Sequence, residues 1–81
     1  MEELKNRVVK AIEQVVPDIE VYQDSTNLIS GGIMDSVNVM RIIAAFEESF
    51  NFELDPSDVE FDNFESIENM ATLVEKYIGK E

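Results

Sequence analysis

Apolar residues in this chain recur at the three- and four-residue spacing of a helix and hardly anywhere at the two-residue spacing of a strand. That pattern confines it to an all-α fold. From Glu2 to Val16 the apolar positions are Leu4, Val8, Ala11, Ile12, Val15 and Val16, which form one helical stripe. Glu2, Glu3 and Lys5 lie on the opposite side, and early acids suit the positive end of the helix dipole. Pro17 ends the helix, because the residue before a proline is pushed out of the helical region.

A second helix opens at Asp35-Ser36, where either residue can cap it, and runs to about Phe50. Asn38, Arg41, Glu48 and Ser49 gather on one side of it. Val37, Val39, Met40, Ile42, Ile43, Ala44, Phe46 and Phe50 take more than half of the rest. So apolar a helix is either central in the bundle or shares its surface with a partner or ligand. As the middle helix of the chain, it is expected to be central.

Asp55-Pro56-Ser57-Asp58 is a compact start signal: Asp55 caps, Pro56 takes the first helical position and Asp58 can reach back. This helix is short, since Phe61-Asp62-Asn63-Phe64 soon breaks the pattern. Ser66 then caps a last helix carrying Ile67, Met70, Ala71, Val74 and Tyr77 or Ile78, and Gly79 ends it. The expected architecture is a small bundle of three main helices plus one short helix, in a single domain spanning residues 1–81. The aromatic turns around Phe52 and from Phe61 to Phe64 are expected to tuck into the core.

Between the first two helices, Asp18 to Gly32 has no sustained period. Ile19 and Val21-Tyr22 can dip into the core, Asp24-Ser25-Thr26-Asn27 is turn chemistry, and Leu28-Ile29 anchor the loop by burial. Long ordered loops in small domains are often functional. Asp24 and Asp35 stand about one calcium-loop length apart, but Ile29 occupies the position where an EF-hand needs glycine, and Leu28 a position where it needs an oxygen ligand. No metal site is expected.

Composition narrows the chemistry further. With no cysteine and no histidine among 81 residues, the chain cannot assemble a Ser-His-acid or Cys-His catalytic set, a disulfide or a zinc-thiolate site. Six basic residues against eighteen acidic ones leave a net charge of −12. That excess argues against nucleic acid and anionic membrane surfaces and suits encounters with basic partner surfaces. The acids are spread through every segment, as on a solvated surface, rather than gathered as a catalytic pair. The amino terminus has neither the basic start nor the apolar stretch of a signal peptide, and no apolar run reaches membrane-spanning length, so a cytoplasmic monomer is expected.

Ser36 remains. As structure alone it is a helix start. As chemistry, it is a hydroxyl presented after a flexible, glycine-bearing loop at a helix N-terminus, a place that favours phosphate. Unaided it is no nucleophile, but another enzyme could modify it.

The segment Leu28-Ile29-x-x-Gly32-Ile33-Met34-Asp35-Ser36-Val37, with Met40, Ile43 and Phe46-Glu47-Glu48-x-Phe50 behind it, resembles the acyl and peptidyl carrier proteins. The acidic balance, the chain length and the order of elements match as well. The resemblance implies a non-catalytic carrier whose Ser36 holds a 4'-phosphopantetheine arm, transferred from coenzyme A by a phosphopantetheinyl transferase that uses magnesium. Acyl or aminoacyl groups would ride on the arm as thioesters, loaded by a ligase or synthase and delivered in fatty-acid, polyketide, peptide or cell-wall-related biosynthesis. By the same resemblance Asp35 assists the modifying enzyme, Val37 and Met40 lie near the arm, and Met40, Arg41, Glu47 and Glu48 belong to the partner-docking surface. Asn38, Arg41 and Ser49 depart from the strongly acidic second helix of fatty-acid carriers. The stretch from Phe52 to Ile67 looks closer to stand-alone carriers of the D-alanyl and peptidyl type. The alternative is an acidic helical adaptor that binds a basic partner through the Arg41 and Glu48 face, with Ser36 only a cap and no prosthetic group.

Overall fold

The computed structural model of the chain describes residues 2–79. Met1, Lys80 and Glu81, which the 1–81 reading includes, lie outside the described residues. Three α-helices carry the architecture: α1 (Glu2–Glu13), α2 (Ser36–Phe50) and α3 (Ile67–Ile78). Among the described residues there is no strand, and no helix is long and apolar enough to cross a membrane. The expected short helix is a single 3-10 turn over Pro56–Asp58; Phe61–Phe64, expected to break the pattern, forms a second such turn, and a third covers Ile19–Val21.

The helix boundaries follow local chemistry with one exception. Asp55 accepts from the Ser57 N–H with Pro56 at the first position, Ser66 accepts from the Asn69 N–H, and Gly79 closes α3 at positive φ. The exception is α1, which ends at Glu13 instead of Val16. The Gln14 and Val15 N–H groups bond three residues back, to Ala11 and Ile12, so the last turn tightens ahead of Pro17. Val16 remains buried all the same.

The core is a contact of three stripes. Leu4, Val8 and Ile12 from α1 meet Val39, Ile42 and Phe46 from α2 and Met70 and Val74 from α3, with Ile19, Leu28 and Phe64 supplied by the connections. The helix that packs against both others is α1. The central place expected for α2 is therefore corrected: α2 buries Val39, Ile42, Ala45, Phe46 and Phe50 but leaves Val37 and Met40 outside. Residue type cannot distinguish a core valine from an exposed one, and a bundle of three helices has only one inner side per helix. Of the aromatic turns, Phe64 is fully buried and Phe52 stacks on Tyr77 at 4.9 Å between centroids, whereas Phe61 is exposed. Val21 is exposed as well, and Ile19 alone of its turn is buried.

The loop before α2 is pinned along its length. Leu28 is fully buried, its N–H donates to the Glu65 carbonyl (2.7 Å), and its own carbonyl accepts from Ile33 (2.8 Å) and Met34 (2.9 Å). The Glu68 N–H reaches the Asp24 carbonyl, and Lys5 pairs with the Asp24 carboxylate at 2.7 Å. The two glycines serve a tight turn instead of a slack tether. A Cβ on Gly31 would stand 2.3 Å from the Asn27 carbonyl oxygen, and Gly32 sits at φ +81°.

A polar clasp joins the other loop to the end of α3. The Tyr77 hydroxyl accepts from the Asp55 N–H (2.9 Å) and donates to the Asp58 carboxylate, which also receives Lys76 at 3.0 Å. Asp58 thus faces α3 instead of reaching back to Asp55. The Tyr77 hydrogen bond, with Lys76 beside it, holds the Asp58 carboxyl below its ordinary 3.8. The same bond raises Tyr77 above its ordinary 10.0, and Asp58 raises Lys76 above 10.5. A lowered carboxyl stabilises the fold above its unfolded value and loses that contribution as pH falls through the folded one. A raised phenol or ammonium stabilises below its unfolded value and loses that contribution as pH rises through the folded one. At the end of α1 the hydrogen bond with Glu20 raises Glu13 above 4.5, which has the reverse dependence of Asp58 in acid. We therefore predict that the melting-temperature gap between wild type and Asp58→Asn is widest from about pH 5 to 9. It should close below the Asp58 transition and above that of Tyr77. A gap independent of pH from acid to alkali would contradict the clasp.

Candidate functional site

The site forms where the pinned loop hands over to α2. Leu28 fixes the amides of Ile33 and Met34, and the Met34 side chain is buried, so the chain arrives at Asp35 in one orientation. Asp35 is the cap. In extended geometry (φ −125°, ψ −174°), its carboxylate accepts from the Asn38 N–H while the Asn38 side-chain oxygen accepts from the Asp35 N–H, both at 3.0 Å. This is a reciprocal capping box with asparagine in the place usually taken by glutamate or glutamine. Asp35-Ser-Val-Asn38 carries that signal in the sequence, although helical periodicity by itself places Asn38 only on the polar face.

With Asp35 capping, Ser36 is relieved of that task. It is the first residue of α2, it is exposed, and no group among the described residues hydrogen-bonds its hydroxyl. The backbone N–H groups of Ser36 and Val37 likewise meet no acceptor among the described residues, the usual state of a first helical turn. A free hydroxyl and two open amides converge at the positive end of a fifteen-residue helix dipole. The arrangement suits a covalently attached phosphate: the oxygen is free to be esterified, and the amides can meet the charge it brings.

Beside the hydroxyl lies an apolar strip. Val37 is 55% exposed and Met40 69%. Arg41, Ala44 and Glu48 continue the same exposed line at helical spacing. Glu47, grouped with them on sequence, is half-buried, and its carboxylate accepts from the Leu54 N–H at 2.9 Å, which ties the loop after α2 to the helix. The acids of the calcium-like spacing are likewise engaged, Asp24 with Lys5 and Asp35 in its cap.

An open groove of about 330 Å³ lies elsewhere, between the Asp58–Asn63 segment and α3, lined by Asp58, Asp62, Asn63, Asn69, Thr72, Leu73 and Lys76. None of the residues around Ser36 lines it. The Ser36 corner therefore lies apart from this groove.

The family model described as "Phosphopantetheine attachment site" matches residues 2–74. The chain belongs to the acyl carrier protein family. A curated relative, the acyl carrier protein of Buchnera aphidicola subsp. Baizongia pistaciae (strain Bp), is 32% identical over 79 residues, covering 96% of this chain and 99% of the relative. No solved structure gives a significant match. As an acyl carrier protein the chain is a carrier and not an enzyme, and its cofactor is 4'-phosphopantetheine, covalently attached. Membership decides between the carrier and the adaptor without a prosthetic group in favour of the carrier. The uncommitted hydroxyl at a helix N-terminus is the feature of this fold that such a group fits.

The division of labour between Asp35 and Ser36 can be measured. Asp35→Ala should destabilise the fold by about 1 kcal/mol through loss of the cap. Ser36→Ala should change stability by less than about 0.5 kcal/mol, as expected for an exposed side chain with no bond to lose. Denaturant titration of both variants checks this. Equal losses, or a larger loss at Ser36, would contradict the assignment of the cap.

Proposed function

We propose that Ser36 is the attachment point of the 4'-phosphopantetheine arm. The observation that carries this is the free, exposed hydroxyl of Ser36 beside a cap completed by Asp35 and Asn38. In this reading the Ser36 oxygen loses its proton to the modifying enzyme and attacks the pantetheine-bearing phosphorus of coenzyme A. The P–O bond of the pyrophosphate breaks, adenosine 3',5'-bisphosphate leaves, and the serine oxygen becomes an ester oxygen of a phosphodiester. The open amides of Ser36 and Val37 would be available to hydrogen-bond the phosphate. Asp35 keeps the loop and the helix start in register for a phosphopantetheinyl transferase. Cargo is then held on the arm's thiol, a group the chain itself lacks.

Partner enzymes dock on the line from Val37 and Met40 through Arg41 and Ala44 to Glu48. The two exposed apolar side chains supply the desolvated centre of such a contact, and Arg41 and Glu48 set its polarity. Glu47 contributes by holding the adjoining loop. We take the chain as a monomeric, single-domain cytoplasmic carrier, served by a loading ligase or synthase in fatty-acid, polyketide, peptide or cell-wall-related biosynthesis. The mixed charge of the α2 line favours partners other than those that read a wholly acidic helix.

Incubation with coenzyme A, magnesium and a broad-specificity phosphopantetheinyl transferase should add the mass of one phosphopantetheine to wild type and none to Ser36→Ala. An unchanged wild-type mass, or the same gain in the variant, would overturn the assignment.

A further inference from the structure

We infer that Glu65, in the turn that leads into α3, is a positioning residue for modification at Ser36. The inference rests on the reading of Ser36 as the attachment point and adds to it a residue 29 positions away in sequence. Glu65 holds the loop before α2 twice. Its backbone carbonyl accepts from the Leu28 N–H at 2.7 Å. Its carboxylate accepts from the Ser30 N–H at 3.3 and 3.2 Å to its two oxygens, and from the Ser30 hydroxyl.

These bonds continue to the site through a single residue, Leu28. The Leu28 carbonyl, on the far side of the residue that Glu65 holds, accepts from Ile33 and Met34, the two residues before the Asp35 cap. The Gly31 N–H returns to Asn27, and the chain turns at Gly31-Gly32 with no room for a side chain on Gly31. The segment from Ser30 to Met34 is thus a closed turn with two supports: the buried Leu28 side chain beneath it and the Glu65 carboxylate at its outer end. The burial is shared with the core and fixes depth. Among the described residues the carboxylate is hydrogen-bonded to Ser30 alone, and it fixes the tip.

Ser30 is exposed, so water competes for its amide as soon as the carboxylate is removed. A loop that samples several arrangements presents the Asp35-Ser36 corner correctly only part of the time. An enzyme that binds the correct arrangement then sees a lower effective concentration of carrier, which raises KM and leaves kcat alone. Glu65 acts through Ser30 and touches neither Ser36 nor the incoming group.

The test uses wild type, Glu65→Ala and Glu65→Gln, the last retaining a side-chain carbonyl that can accept from Ser30. Amide hydrogen exchange of the full chain should show faster exchange at Ser30 and at Gly31 to Met34 in Glu65→Ala. Val8 and Val74 in the core should be unaffected, and Glu65→Gln should restore much of the protection. Pantetheinylation by the same broad-specificity transferase should show KM for Glu65→Ala raised roughly fivefold, kcat within about twofold, and partial recovery in Glu65→Gln. Unchanged exchange at Ser30, or an unchanged KM while wild type is modified normally, overturns the inference. So does a uniform rise in exchange that includes the core, which marks a general loss of stability. If wild type itself is not modified, the attachment reading falls, and exchange at Ser30 still decides whether Glu65 orders the loop.

Discussion

The backbone of Leu28 is the constraint on which the geometry leading to Ser36 depends. Its N–H is spent on Glu65 and its carbonyl on Ile33 and Met34, while its side chain is fully buried. A backbone group withdrawn from water has to find a partner. Here each partner lies on a different part of the chain, so satisfying one residue draws the lead into α3 and the lead into α2 to the same point. A long connection in a small protein is costly in conformational entropy. The last part of this one, from Leu28 to Met34, is held by the buried Leu28 side chain, a turn that only glycine fits, and one carboxylate on Ser30.

From that fixed loop the helix start acquires its two separate roles. Asp35 and Asn38 satisfy each other's amides, which stabilises the helix without using the serine between them. Ser36 stands one residue inside the helix, where its hydroxyl has nothing to cap and its amide faces outward. A protein without cysteine or histidine has no strong nucleophile of its own. Its family supplies that reactivity as a cofactor, and the attachment proposed at Ser36 would mount it on this corner. The groove between Asp58 and Lys76 takes no part in this arrangement. Its polar groups clasp the second loop to α3.

Much of this was legible in the residues. The three apolar stripes, the caps at Asp55 and Ser66, the stop at Gly79 and the helix start at Asp35-Ser36 all follow from local chemistry, which needs only a few neighbouring residues to express itself. What escaped is long-range. Periodicity places Val37 and Met40 on a helix but does not say which side of it a neighbour covers. The carboxylate of Glu47 goes to Leu54, that of Glu65 to Ser30 and that of Asp58 to Tyr77, pairings set by how the elements come together. Asn38 is different. Its capping role was present in the spacing from Asp35 and was obscured because asparagine is an uncommon residue at that position of the box.

The account turns on one oxygen atom. Fragmentation of peptides from the modified protein locates the added group residue by residue, and the chain offers five other serines: Ser25, Ser30, Ser49, Ser57 and Ser66. Attachment at Ser36 predicts that every fragment carrying the phosphopantetheine contains Ser36 and that the group maps to that residue alone. A group mapped to any other serine, or to a threonine, would contradict it.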